Sequence, residues 1–309
     1  MDDHGIGTDL GIDLARLDRL EVRARLVVEG LIAGLHRSPF KGSSVEFAEH
    51  RQYGPGDEIR HIDWRAFGKT DRHYVKEYEE ETNLRATLVL DASGSMGYAG
   101  AEPPGLPTKL DLARGLAASL AYLFINQRDA VGLVAFDSEV RANIPPKSAP
   151  NQFPLLCRTM EALAVGGETP VGSVLHDLAD RLTRRGLVIA ISDGFDRAED
   201  LLSGLRHLRH RRHEVLFLQV LAPDEETFPF RRPARFRDLE RPARDLRVDP
   251  NALRRAYLER FEAHNLALRD GLLAMNADYH RASTAEPIER TLLDILAARS
   301  ARGRSGARG

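Results

Sequence analysis

Ala86-Thr87-Leu88-Val89-Leu90-Asp91-Ala92-Ser93-Gly94-Ser95-Met96-Gly97 joins an apolar run to three short oxygen-bearing side chains, Asp91, Ser93 and Ser95, at alternate positions. A run this rich in Leu and Val, closed by glycine, suits a central parallel strand that is buried on both faces. Open α/β sheets bind their ligands beyond the carboxyl ends of such strands. A carboxylate with two hydroxyls at that edge suggests a small hard cation.

Outward from this strand, apolar runs alternate with amphipathic patterns. Strands are expected at 85–91, 130–136, 139–144, 187–192 and 213–221, and helices at 109–126, 151–163, 171–184 and 199–209. Such alternation argues for an α/β, doubly wound, mainly parallel sheet covered on both faces, with right-handed crossovers. Beyond Ala222-Pro223, residues 234–239 and 244–248 read as a hairpin, an insertion near 233–248. Asp249 and Pro250 carry the N-cap and first-position signals of a helix that runs to Met275. A last strand at 277–282 and a helix at 287–298 follow, and the tail 299–309, rich in Arg, Ser and Gly, is expected to be disordered.

Toward the amino terminus, Leu14, Leu17, Leu20, Val22, Leu26, Val27 and Leu31 recur at helical spacing. Residues 40–80 carry Gly42, Gly54-Pro55-Gly56 and Gly68 among aromatic and charged residues, a pattern of short strands and turns. Residues 1–80 are thus expected to form a small helical and β extension, and 81–298 the main domain. Of the 309 residues 42% are hydrophobic and 29% charged, with a formal net charge of -2, so no global charge draws the chain to nucleic acid. Spanning a membrane is not expected, because no apolar stretch approaches the roughly 20 residues a bilayer needs. Met1-Asp2-Asp3-His4-Gly5 lacks a basic and then apolar leader, which makes the cytoplasm the expected compartment. Cys157 is the only cysteine; it rules out an intramolecular disulfide and, set in Phe153-Pro154-Leu155-Leu156-Cys157, reads as a small core hydrophobe.

Two further oxygen donors stand at the junctions where the alternation expects ligands. Thr169 lies in the glycine-rich loop Gly166-Gly167-Glu168-Thr169-Pro170, before a helix, and Asp193 follows the strand Leu187-Val188-Ile189-Ala190-Ile191 within Ser192-Asp193-Gly194. If the strands are parallel, Asp91, Ser93, Ser95, Thr169 and Asp193 all reach one edge. Asp-x-Ser-x-Ser alone arises by chance in about one chain in twenty of this length, so its position on a buried strand and the two later junctions carry the weight. The competing reading makes these residues turn formers and helix caps.

The five positions resemble the von Willebrand factor A domain and its metal-ion-dependent adhesion site, whose Asp-x-Ser-x-Ser, Thr and Asp elements match Asp91-Ala92-Ser93-Gly94-Ser95, Thr169 and Asp193. The resemblance implies Mg²⁺ held by Ser93, Ser95 and Thr169, with Asp91 and Asp193 acting directly or through water. A partner's acidic side chain completes the shell, in keeping with the octahedral oxygen preference of this ion. The stretch Val45-Glu46-Phe47-Ala48-Glu49-His50-Arg51-Gln52-Tyr53-Gly54-Pro55-Gly56-Asp57-Glu58-Ile59-Arg60-His61-Ile62-Asp63-Trp64 resembles the hallmark of the domain of unknown function fifty-eight family. Its members are bacterial proteins with such an A domain, commonly encoded beside MoxR-type AAA+ ATPases. Arg237-Asp238-Leu239-Glu240 and Asp249-Pro250, with Tyr257 and Leu258, fit that family too. Arg37-Ser38-Pro39-Phe40-Lys41-Gly42-Ser43-Ser44 departs from it, where an Arg-Gly pair and a second glycine are commoner. The resemblance thus implies a non-enzymatic, Mg²⁺-dependent protein-interaction module that works with a MoxR-type ATPase in a chaperone-like role. From physics alone, the hallmark is a turn locked by charge-assisted hydrogen bonds or a docking surface anchored by Trp64.

Other signals weigh less. His207, His210 and His213 sit among Arg206, Arg209, Arg211 and Arg212, whose charge opposes a cation, so a solvated basic face is expected there. Ser95 as a hydrolase nucleophile fails the Gly-x-Ser-x-Gly elbow, since position 93 is serine, and no spacing singles out a base such as His176. No catalytic residue is expected. Without a phosphate-binding Gly-x-x-x-x-Gly-Lys-Ser/Thr loop, ATP hydrolysis has to come from another chain. The enzymatic alternative is a metal-assisted phosphoesterase that uses the same sheet edge.

Overall fold

In a computed structural model, residues 19–37, 50–52, 74–76, 84–101, 103–167, 171–241 and 245–306 are described. The chain divides into two units, residues 1–33 with 84–309, and residues 34–83. Helix α1 (Leu20–Arg37) begins in the first. In the second, β1 (His50–Gln52) and β2 (Tyr74–Lys76) pair antiparallel. The remainder of the hallmark stretch, including Trp64, lies outside the described residues, as do residues 38–44.

The larger unit is built on β3 (Arg85–Asp91), β4 (Ala130–Phe136), β5 (Val140–Lys147), β6 (Leu187–Ser192), β7 (Glu214–Leu221) and β10 (Asp278–Ser283). They lie in the order β10-β7-β6-β3-β4-β5, all parallel to their neighbours except β5, which runs antiparallel to β4. Counted along the chain this is the order 3-2-1-4-5-6 of doubly wound sheets, whose ligand crevice opens where the order reverses, between the first and fourth strands. Those strands are β3 and β6. The mainly parallel, doubly wound architecture expected from the sequence is therefore present.

Both faces are covered, which is why the central strands read as unbroken apolar runs. On one face Leu88, Leu90, Leu133, Ile189, Ile191, Leu216 and Leu218 pack beneath α2 (Lys109–Asn126), α3 (Gln152–Ala162) and α8 (Ile288–Gly306). Leu20, Ala24, Val28 and Leu31 of α1 are buried in the same core. On the other face Val89, Val134, Val188 and Phe217 pack under α4 (Val171–Arg181), α5 (Ala198–His210) and α7 (Pro250–Ala274). Cys157 belongs to the first core, and burial pushes its thiol up to about 12, as expected of a packing residue.

Four features differ from the sequence reading. Strand β5 runs on to Lys147 through Pro145 and Pro146, residues that an edge strand tolerates because one side has no ladder to complete. A short helix, α6 (Pro223–Thr227), follows β7. The tail expected to be disordered from Arg299 is helical to Gly306, and Arg299 Nη2 pairs with Glu214 Oε2 at 3.2 Å at the foot of β7. His213 is not on a solvated face: it is 2% exposed, its ring lowered in pKa mainly by burial. The expected hairpin forms from β8 (Ala234–Arg237) and β9 (Asp245–Val248), and Asp249 caps α7 through Asn251 N–H at 3.0 Å.

Candidate functional site

Strand β3 ends at the switch point of the sheet, so its last residue and the turn beyond it face the crevice. Asp91 Oδ1 accepts from Ser93 N–H at 2.8 Å, folding the chain back over the strand end. Its Oδ2 accepts from the Ser192 hydroxyl of neighbouring β6 at 2.6 Å, and Ser192 Oγ accepts in turn from Gly194 N–H at 3.0 Å. Gly194 has φ +70, a conformation that lets the chain turn immediately after Asp193. Residues Gly94–Gly97 form a 3-10 turn, with Ser93 Oγ and Ser95 Oγ 3.0 Å apart.

The glycine-rich loop reaches the same turn. Gly94 N–H donates to Gly167 O at 3.1 Å, and Gly166 N–H to Ala92 O at 3.0 Å. Thr169 itself lies outside the described residues. Of the expected site residues the structure thus gathers Asp91, Ser93, Ser95 and Asp193 on adjacent strand ends. Asp91, Ser93 and Asp193 are buried, and Ser95 is partly exposed.

Asp193 has a partner the sequence did not point to. Lys109, 1% exposed at the start of α2, donates from Nζ to Asp193 Oδ2 at 2.7 Å and to Glu225 Oε1 at 2.6 Å. Its ammonium also lies 4.7 Å from the centre of the Phe195 ring. Burial works against the charged lysine, but the two carboxylates outweigh it and raise its pKa. The remaining Asp193 oxygen accepts from Phe195 N–H at 3.2 Å, and Gln219 Nε2 donates to the Asp193 carbonyl at 3.0 Å. A readable trace of Lys109 exists: it is in phase with Leu112, Ala113, Leu116 and Leu120, the buried stripe of α2.

Charge does not balance here. Burial, then the neighbouring Asp193, pushes Asp91 up to about 7 against the hydrogen bonds from Ser192 and Ser93. Glu225 is raised mainly by burial despite Lys109. Glu240, from the loop after β8, is raised mainly by burial and further by Asp193 among nearby acids, against the Ser95 side chain beside it. Among the described residues one ammonium, paired with Asp193 and Glu225, thus serves a site that also holds Asp91 and Glu240.

The donor set suits Mg²⁺. Neighbouring oxygens of an octahedron with bonds of about 2.0–2.1 Å stand about 3 Å apart, the separation of the Ser93 and Ser95 hydroxyls. Among the described residues no three His, Cys, Asp or Glu side chains are grouped to hold a metal, so an ion at this edge depends on those hydroxyls. Since Lys109 and Phe195 N–H already engage both Asp193 oxygens, that residue fits action through water better than direct contact.

Comparison with known proteins gives relatives that the chain matches over most of their length. The chain is 28% identical over 298 residues to Uncharacterized protein Rv1480 of Mycobacterium tuberculosis and to Uncharacterized protein Mb1516 of Mycobacterium bovis, covering 93% of this chain and 85% of each relative. Among solved structures, the conserved hypothetical protein BatB from Bacteroides thetaiotaomicron aligns with 16% identity over 70% of this chain and 98% of its own, at a TM-score of 0.46. The SpRpn10 VWA domain aligns with 12% identity over 68% of this chain and 94% of its own, at 0.37. The model of the family described as "Protein of unknown function DUF58" matches residues 49–267, and the chain belongs to that family.

Proposed function

We propose that this chain is a non-catalytic protein-interaction module of the cytoplasm. It holds Mg²⁺ at Asp91, Ser93, Ser95, Thr169 and Asp193 and binds an acidic side chain of a partner protein there. What carries the reading is the pair of hydroxyls, Ser93 Oγ and Ser95 Oγ, held 3.0 Å apart beside a buried carboxylate at the sheet's switch point. Ser93, Ser95 and Thr169 would hold the ion, which when bound supplies an electrophile for an incoming carboxylate. Asp91 orients the turn through Ser93 N–H and Ser192. Lys109 fixes Asp193 and neutralises part of its charge.

The partner we propose is a MoxR-type AAA+ ATPase in a chaperone-like role, the association that the family resemblance implies. The test is titration of the purified chain against such an ATPase with Mg²⁺, with EDTA, and with Asp91→Ala in Mg²⁺. Binding in Mg²⁺ alone is expected; equal affinity under all three conditions overturns the metal-bridged reading. Turnover of simple phosphoesters that Asp193→Ala abolishes would favour the phosphoesterase alternative instead.

A further inference from the structure

The turn that carries the two serines is covered by the chain itself. A Cβ at Gly94 would lie 2.3 Å from the Leu239 carbonyl oxygen and 3.2 Å from Glu240 Cα, so only glycine lets the loop after β8 rest on the turn. That loop is shaped locally: Asp238 Oδ1 accepts from Glu240 N–H at 2.9 Å and from Arg241 N–H at 3.0 Å, an Asx-type turn that fixes the direction of Glu240. The Ser95 side chain lies beside the Glu240 carboxyl and favours its charged form. Aromatic packing anchors the base of the loop, with Phe236 of β8 stacked on Phe228 at 5.7 Å and set edge-on to Phe230 at 5.3 Å. Phe228 in turn contacts Tyr257 of α7 at 4.7 Å.

With its backbone resting on Gly94, Glu240 brings a carboxyl beside Ser95, to the place that the proposed function reserves for a partner's acidic side chain. We propose that Glu240 is that ligand supplied in cis: the loop tip closes the resting site, and a partner carboxylate enters only by displacing it. This rests on the cation reading above. It adds a gate: affinity for a partner is set by the difference between two carboxylates competing for one position, and the aromatic anchor makes the resident one local and hard to outcompete. A partner that also pulls on the hairpin 234–248 would open the site and fill it in one event.

The experiment uses Mn²⁺ as a probe, with the full chain as wild type and as Glu240→Gln, a change that keeps shape and removes the charge. Affinity is read by calorimetry and bound water by proton relaxation. The expected result is Mn²⁺ binding about tenfold weaker in the variant, with more exchanging water on the ion. Added acetate should lower that relaxation in the variant and leave the wild type unchanged. On the unaltered protein, hydrogen exchange at 238–241 should slow when Mg²⁺ is added. Equal affinity, equal relaxation and unchanged exchange in a wild type that does bind Mn²⁺ would overturn the gate alone. Absence of Mn²⁺ binding in both proteins would overturn the cation reading, and the gate with it.

Discussion

Replacing Asp91 by asparagine should make the metal-free protein more stable, an unusual outcome for a fully buried polar position. The carboxyl rises from 3.8 to about 7, through burial first and the charge of Asp193 second. Its ionised form is therefore about 4 kcal/mol less favourable in the folded than in the unfolded chain. Asparagine keeps an acceptor for Ser93 N–H but brings amide hydrogens to a place furnished with donors, since Ser192 Oγ now donates to Oδ2. One unsatisfied amide N–H costs about 1–3 kcal/mol. The net gain expected is about 2 kcal/mol at about pH 8 in EDTA.

The sign follows from proton binding. Between the ordinary and the raised pKa the folded state holds the proton more tightly, so wild-type stability falls as pH climbs from about 4 through about 7. The advantage of Asp91→Asn should accordingly be full at about pH 8 and turn into a deficit of about 1–3 kcal/mol at about pH 4, where protonation relieves the wild type and the amide cost remains. Urea unfolding followed by circular dichroism at both pH values measures it. In Mg²⁺ the order should reverse, because an ion that binds only the native state stabilises the wild type. A variant less stable than wild type at about pH 8 in EDTA, or one with the same offset at both pH values, would refute the argument.

Other expectations follow from single contacts. Lys109→Met should lose about 3–5 kcal/mol, because it leaves Asp193 and Glu225 buried without their cation; urea midpoints should show the loss shrinking in acid as Glu225, raised by burial, takes up a proton. In the wild type the raised lysine pKa means that its contribution is complete below 10.5 and fades only as pH climbs beyond. Gly94→Ala should cost about 1–3 kcal/mol and speed hydrogen exchange at 238–241, since its methyl group displaces the Leu239 carbonyl. Cys157, with its thiol pushed up to about 12, should resist a thiol reagent in the native state and react only as urea unfolds the chain.

How much of this was legible depended on whether the deciding contact was local. Strands β3, β4 and β6 could be read because burial on both faces forces runs such as Leu88-Val89-Leu90 and Ile189-Ala190-Ile191. Strand β5 reads as ending at 144 because Pro145 and Pro146 look like strand breakers unless the strand lies at an edge. Asp91, Ser93, Ser95 and Asp193 announce themselves as short oxygen side chains at strand ends, a feature of the chain on either side of each residue. Lys109 and its two acidic partners lie 84 and 116 positions apart in sequence, and nothing local marks Asp193 or Glu225 as the partner. Glu240 is the harder case: its loop reads as a hairpin turn, and only the approach of Leu239 to Gly94 reveals what the turn covers.

The same geometry accounts for how the proposed cation and a buried lysine can share one site. An ammonium on a helix start can hold only what lies within reach of one fixed point, and Lys109 is spent on Asp193 and Glu225. Asp91 sits on the other side of Asp193 in the strand order and gains only neutral hydrogen-bond donors among the described residues, which leave its charge uncompensated. Burial at that point amplifies the imbalance, since a carboxylate pair out of water repels strongly. A permanent second lysine would have removed the strain and filled the crevice. With no cation of its own among the described residues, next to two hydroxyls and under a loop anchored at its base, Asp91 stands where the proposed ion would offset its charge and share its coordination with a carboxylate from outside.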